Sequence, residues 1–196
     1  MKTKIIVISG GSFQGKSTIS FCLATRFKVS CIVSTDLIRN ILKLSHPEKP
    51  FFAKSIYMLP EKMIDDKRKY VSDTLKDIVN LYHNRREHVI IEGIHFSEAF
   101  IKWCVSNKFC CIFLNNTLSL DDRIILKSKT TRSHLRFIND NEFSSVNKLN
   151  VKSTKYIENK DQMEYIHKST KEYFEKSNCP IVTFSDIEIA KKKVVT

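Results

Sequence analysis

The chain has 196 residues, 42% of them hydrophobic and 28% charged. That length suits one domain, 1–196, with a real core, and it excludes a disordered tail or a collagen-like chain. The charge balance of 33 − 21 = +12 suits anionic partners: nucleotides, phosphorylated metabolites or nucleic acid. Lysine supplies 25 of the 33 basic residues and is scattered, which reads as solvated surface more than as a nucleic-acid stripe. No stretch reaches the roughly 18 apolar residues of a membrane span, so no membrane partner is expected.

The short apolar run Ile5-Ile6-Val7-Ile8 resembles a signal peptide only superficially, because Gly10, Gly11 and Lys16 follow it instead of a small-residue cleavage site. The six cysteines (Cys22, Cys31, Cys104, Cys110, Cys111 and Cys179) form no C-x-x-C pair. They read as small buried hydrophobes in a reducing, cytoplasmic setting, without the clustering that zinc needs.

Strand-length apolar runs alternate with helical periodicities, the pattern of a parallel sheet flanked by helices. Residues 4–9 predict a strand buried on both faces. A helix follows over 16–27, with Ile19, Cys22, Leu23 and Phe27 at helical spacing. A short strand is predicted at 31–34. The helix predicted at 36–44 turns Leu37, Ile38, Ile41, Leu42 and Leu44 inward. Residues 45–59 read as irregular. A long helix covers 60–85, opened by Pro60, with the stripe Ile64, Tyr70, Val71, Leu75, Ile78 and Tyr82. Strands at 88–92 and 109–114 flank a helix at 97–106 capped by Ser97. A helix begins at 120–127. The polar, basic segment 127–152 reads as a lid or mobile stretch. A helix over 155–176, a fifth strand at 181–184 and a short helix from near Asp186 complete the chain.

The strongest motif is Gly10-Gly11-Ser12-Phe13-Gln14-Gly15-Lys16-Ser17, followed by Thr18. It fits G-x-x-x-x-G-K-[ST], with a buried strand before it and an amphipathic helix after it. Glycines keep side chains out from between amides and phosphate, and the helix N-terminus adds positive potential. Lys16 is expected to bridge the β- and γ-phosphates of a nucleotide, Ser17 to hold Mg²⁺, and Thr18 to reach the α-phosphate.

An acceptor site is legible one strand later. Asp36 and Arg39 share a helical face at the carboxyl edge of the sheet. There Asp36 can accept a hydroxyl proton and Arg39 can grip an anionic group. A helix-capping aspartate beside a solvated arginine fits the same residues, but the phosphate loop tips the reading toward chemistry. Val89-Ile90-Ile91-Glu92 has the Walker B form, with glutamate where aspartate is usual, so Glu92 is a candidate for the Mg²⁺ shell. His95 follows at the same edge as a candidate substrate contact. The basic segment holds Arg123, Lys127, Lys129, Arg132 and Arg136. Arg132 or Arg136 is expected to neutralise the migrating phosphoryl as the lid closes.

These motifs resemble the 2-phosphoglycerate kinase family. The likeness rests on GGSFQGKST and STDLIRNIL, on Ile91-Glu92-Gly93-Ile94-His95, on Tyr156-Ile157-Glu158-Asn159, and on Asn178-Cys179-Pro180-Ile181-Val182. It implies an ATP- and Mg²⁺-dependent kinase acting on the hydroxyl of a small phosphorylated hydroxy acid. The Asp-x-x-Arg arrangement also resembles the 5′-hydroxyl polynucleotide kinases and the zeta-type toxins, which keeps nucleic acid open as a partner. The expected fold is a three-layer P-loop kinase with five parallel strands.

Overall fold

A computed structural model of the chain describes residues 4–123 and 159–184. The expected lid at 127–152 with Arg132 and Arg136, the residues 155–158 expected to open the last long helix, and the helix expected near Asp186 all lie outside the described residues.

The elements are β1 (Ile5–Ser9), α1 (Lys16–Phe27), β2 (Cys31–Ser34), α2 (Thr35–Ser45), α3 (Pro50–Ala53), a 3₁₀ turn (Ile56–Met58), α4 (Glu61–Asn84), β3 (Val89–Gly93), α5 (Glu98–Ser106), β4 (Cys110–Asn116), α6 (Lys160–Lys176) and β5 (Ile181–Phe184). All five strands are parallel, in the order β2-β3-β1-β4-β5. The unbroken apolar runs of β1 and β3 are needed because both faces of the sheet are covered. Ile5, Val7, Val89 and Ile91 pack on the side of α4 and α5, among Val71, Leu75 and Phe100. Ile6, Ile8 and Ile90 face Ile19, Leu23 and Phe27 of α1. Each such side chain contributes about 1.5–3 kcal/mol relative to staying exposed.

Two of the helices begin on a side-chain cap. Ser34 accepts the amide of Asp36 at the start of α2, and Ser97 accepts that of Phe100 at the start of α5, each filling an orphan donor.

The structure corrects several expectations. Only Ile38 and Leu42 of the α2 stripe are buried, while Leu37, Ile41 and Leu44 face outward. An amphipathic face as wide as that one cannot all meet the narrow surface offered by β2, β3 and α4. Cys22 and Cys110 are exposed, whereas Cys104, Cys111 and Cys179 are buried. Tyr70 lies partly outside the core. Residues 45–59 are not wholly irregular, since they hold α3 and the 3₁₀ turn, with Phe51, Phe52 and Ile56 buried. β4 runs two residues beyond its predicted end at Leu114, to Asn116.

The buried face of α4 also carries Lys67 and Arg68. Arg68 is 1% exposed. Its guanidinium donates to Thr170 Oγ1 at 2.7 Å, Ser169 Oγ at 3.1 Å, Tyr173 Oη at 3.2 Å and the Ile166 carbonyl at 3.4 Å. One cation thus docks α6 against α4. Arg68→Ala strands those acceptors and opens a void, so it should lower unfolding free energy by about 3 kcal/mol. Urea denaturation followed by circular dichroism measures this, and a loss under about 0.5 kcal/mol, the surface-substitution level, would refute the docking role.

Candidate functional site

Because the strands are parallel, the turns after β1, β2 and β3 open on one edge. The register levels Ile8 with Glu92 and Ser34 with Glu92, so β3 carries its carboxylate between the phosphate loop and the start of α2. A cavity of about 340 Å³ lies there, and both halves of the predicted site line it. From the loop come Ser12, Phe13, Lys16 and Ser17. From α2 come Asp36 and Arg39, and from β3 and its following turn Glu92 to His95. Lys16 and Asp36 therefore face the same space.

The loop is held from three sides. Gln14 is buried, and its Oε1 accepts the Asn116 amide at the end of β4. Ser12 Oγ shares a hydrogen bond with the Tyr57 hydroxyl. The Arg123 guanidinium donates to the Ser12 carbonyl at 2.9 Å, so this arginine sits against the loop. Lys16 Nζ donates to the Gly11 and Gly10 carbonyls at 2.7 and 3.1 Å. Burial pulls its pKa down to about 8, opposed by Glu92 and Asp36 and reinforced by Arg123.

Glu92 shows the same desolvation with the opposite sign. Burial raises its pKa, Lys16 pulls it back, and Asp36 adds to the rise. Ser17 Oγ lies 3.4 and 3.5 Å from the two Glu92 oxygens. A hydroxyl beside a carboxylate is a hard-oxygen donor pair of the kind that suits Mg²⁺, which takes one or two protein oxygens and completes its shell with phosphates and water. Among the described residues no cluster of three or more His, Cys, Asp or Glu could hold a metal by itself.

On the acceptor side, Asp36 Oδ1 lies 4.0 Å from both Arg39 Nε and His95 Nδ1. Its side chain is 65% exposed, so it is open to an incoming group. His95 is 1% exposed. The Thr35 hydroxyl accepts the Ile94 amide at 3.3 Å and meets His95 Nδ1 at 3.1 Å. That hydroxyl is then free to donate to Nδ1, leaving the ring proton on Nε2. Burial, with Lys67, Arg39, Arg68 and Lys16 nearby, holds the His95 pKa well below its usual value, so the ring is neutral. His95 Nε2 and Arg39 Nε are both buried without a hydrogen-bond partner among the described residues. Gly93 permits this crowding, because a Cβ there would stand 1.8 Å from Thr35 Oγ1, and its φ is +155°.

Sequence reasoning missed four contributors. Lys67 is buried on α4, donates to the Lys54 carbonyl at 2.6 Å, and has its pKa lowered to about 8 by burial and by Arg39. Ser55, Ile56 and Tyr57 wall the cavity. Within Lys67-Arg68-Lys69 nothing marks which cations turn inward, and residues 55–57 have no periodicity. Thr18 does not line the cavity, and Arg132 and Arg136 lie outside the described residues.

The chain aligns over 98% of its length with 91% of shikimate kinase from Acinetobacter baumannii in complex with shikimate, at 13% identity and a TM-score of 0.50. It has the fold of a P-loop kinase. Shikimate kinase from Aquifex aeolicus is similar over 97% of this chain and 94% of its own, at 15% identity and a TM-score of 0.48. An uncharacterized protein of Dictyostelium discoideum is 27% identical over 144 residues, 63% of this chain. The chain spans 17% of the length of that curated relative. No family model matches the chain.

The charge state of Lys16 follows from its burial. Below about pH 8 the free protein holds the ammonium, and above it the neutral amine. Affinity for inorganic triphosphate should therefore decline as pH rises through about 8, and bound anion should move the Lys16 midpoint upward. The ¹³Cε shift of Lys16 followed by NMR reads this directly, and a midpoint near 10.5 in the free protein would contradict it.

Proposed function

We propose that the chain is an ATP-dependent small-molecule kinase that transfers the γ-phosphoryl to a hydroxyl of an anionic acceptor. The observation that carries the reading is the single cavity lined both by the phosphate loop and by Asp36, Arg39 and His95. At about 340 Å³ it has the size of a small-molecule pocket.

The loop amides and Lys16 would hold the triphosphate, with Lys16 leaving its two carbonyls for the phosphates. Ser17 and Glu92 would hold Mg²⁺, which when bound neutralises developing charge on the phosphates. The acceptor oxygen forms a bond to the γ-phosphorus, the bond to the β–γ bridging oxygen breaks, and ADP leaves with that electron pair. The hydroxyl proton passes to the Asp36 carboxylate. Arg39, whose Nε lacks a hydrogen-bond partner among the described residues, would grip the acceptor's anionic group. His95 would donate from Nε2 as a neutral ring, so it adds direction without another positive charge. Arg132 or Arg136 would close over the migrating phosphoryl.

The cluster of Arg39, Lys67, Lys16 and Arg68 around His95 supports an acceptor carrying carboxylate or phosphate, and 2-phosphoglycerate has this chemistry. A 5′-hydroxyl oligonucleotide is the competing acceptor, favoured by the +12 charge.

Two measurements test the reading. Asp36→Asn should lower kcat by about 10²–10⁴, the range for positioned acid–base catalysis, with ATP affinity little changed. Near-normal turnover would remove Asp36 as the base. An acceptor screen with labelled ATP, covering 2-phosphoglycerate, other hydroxy acids, nucleosides and 5′-hydroxyl oligonucleotides, should label a small acid. Labelling of the oligonucleotide alone, with steep loss in salt, would decide for the competing acceptor.

A further inference from the structure

His167 stands on α6, far in sequence from every motif above, yet its Nδ1 accepts the Gly11 amide at 3.2 Å. The N–H of Gly11 and the carbonyl of Gly10 belong to one peptide unit. That carbonyl accepts from Lys16 Nζ at 3.1 Å. A trans peptide directs its N–H and C=O to opposite sides, so His167 and Lys16 grip the two ends of one plane at the base of the loop. We infer that His167 is a positioning residue for nucleotide: by holding the peptide between residues 10 and 11 it sets where the Lys16 ammonium rests and which way the loop opens. The inference rests on the nucleotide-binding reading of that loop.

Three further observations bear on this. The fit is close, because a Cβ at Gly11 would stand 2.8 Å from His167 Nδ1. The ring also packs against Phe113 of β4, with ring centroids 5.2 Å apart. Accepting at Nδ1 requires that atom to be unprotonated, which places the neutral ring's proton on Nε2. Burial, together with the facing cations Arg123, Lys171 and Lys16, holds the His167 pKa down at about 4, so the acceptor form persists at neutral pH. A charged ring there would instead turn a donor toward the Gly11 N–H and break the grip.

The same contact couples two parts of the fold. α6 is anchored on α4 by Arg68, and through His167 it reaches the phosphate loop. Through this contact α6 sets the loop's starting geometry.

The test uses the full chain and ATP with Mg²⁺, with affinity read by calorimetry for the wild type, His167→Leu, His167→Asn and Lys16→Met. Leucine removes the acceptor, and losing one such hydrogen bond should weaken ATP binding about fivefold to tenfold. Asparagine carries an oxygen near the place of Nδ1 and should restore most of that loss. In the wild type, ¹⁵N NMR should show His167 protonated on Nε2 and slow exchange of the Gly11 amide, two readings that do not depend on any variant folding. ATP affinity unchanged in His167→Leu, no rescue by asparagine, or a proton on Nδ1 would each overturn the inference. ATP binding that is absent in the wild type, or untouched by Lys16→Met, would instead overturn the nucleotide reading and remove the ground of this one.

Discussion

All five strands run in one direction, and everything else about the site depends on that alignment. A parallel sheet sends every strand-to-helix turn to the same edge. The strand order then decides who meets whom. With β3 lying between β2 and β1, its Glu92 is level with Ser34 on one side and Ile8 on the other. The glycine-rich loop after β1 and a helix start bearing Asp36 are thereby brought to one cavity, with Glu92 between them.

Desolvation is the second organising force. The edge of the sheet gathers Lys16, Arg39, Lys67 and Arg68 around a buried neutral His95. Burial lowers the pKa values of Lys16 and Lys67 and raises that of Glu92. Taking charge out of water is unfavourable unless the charge is paired. The buried cations use what is at hand: backbone carbonyls for Lys16 and Lys67, hydroxyls and a carbonyl for Arg68. An anionic ligand would relieve the remaining imbalance, because it supplies counter-charge where the fold has placed little. The same logic explains why His95 and His167 are held neutral: each sits where a further positive charge would face cations already present.

The loop itself is over-determined. Gln14 ties it to β4, Ser12 to Tyr57, Gly11 to α6, and Arg123 covers its carbonyl at Ser12. Phe13 and Gln14 look like bulky intrusions in a phosphate loop when read as letters. In the fold one packs beside Leu120 and Met163 and the other is a buried strut, so their size serves the scaffold.

What was legible in the amino-acid sequence was whatever local chemistry dictates. Apolar runs bounded by turns marked the strands, helical spacing marked α1 and α4, the Ser97 cap marked α5, and G-x-x-x-x-G-K-S marked the strand–loop–helix turn because that conformation needs those residue types in that order. That Asp36, Arg39, Glu92 and His95 would line one cavity was legible because Asp36, Arg39 and His95 follow a strand closely and Glu92 lies near the end of β3, and a strand end is where a parallel sheet opens. Illegible were the features that arise only when distant segments meet. No periodicity tells that Leu37 and Ile41 stay outside while Lys67 and Arg68 go in, since burial depends on which surface lies opposite. Nothing near His167 announces a contact with Gly11, 156 residues away, because the partner is a backbone amide and leaves no mark in the residue pattern. Local stereochemistry wrote the elements and the loop. The meeting of α6 and residues 55–57 with that loop, and of α4 with α2, was decided by tertiary packing, where non-local contacts choose among faces that the chain alone leaves equivalent.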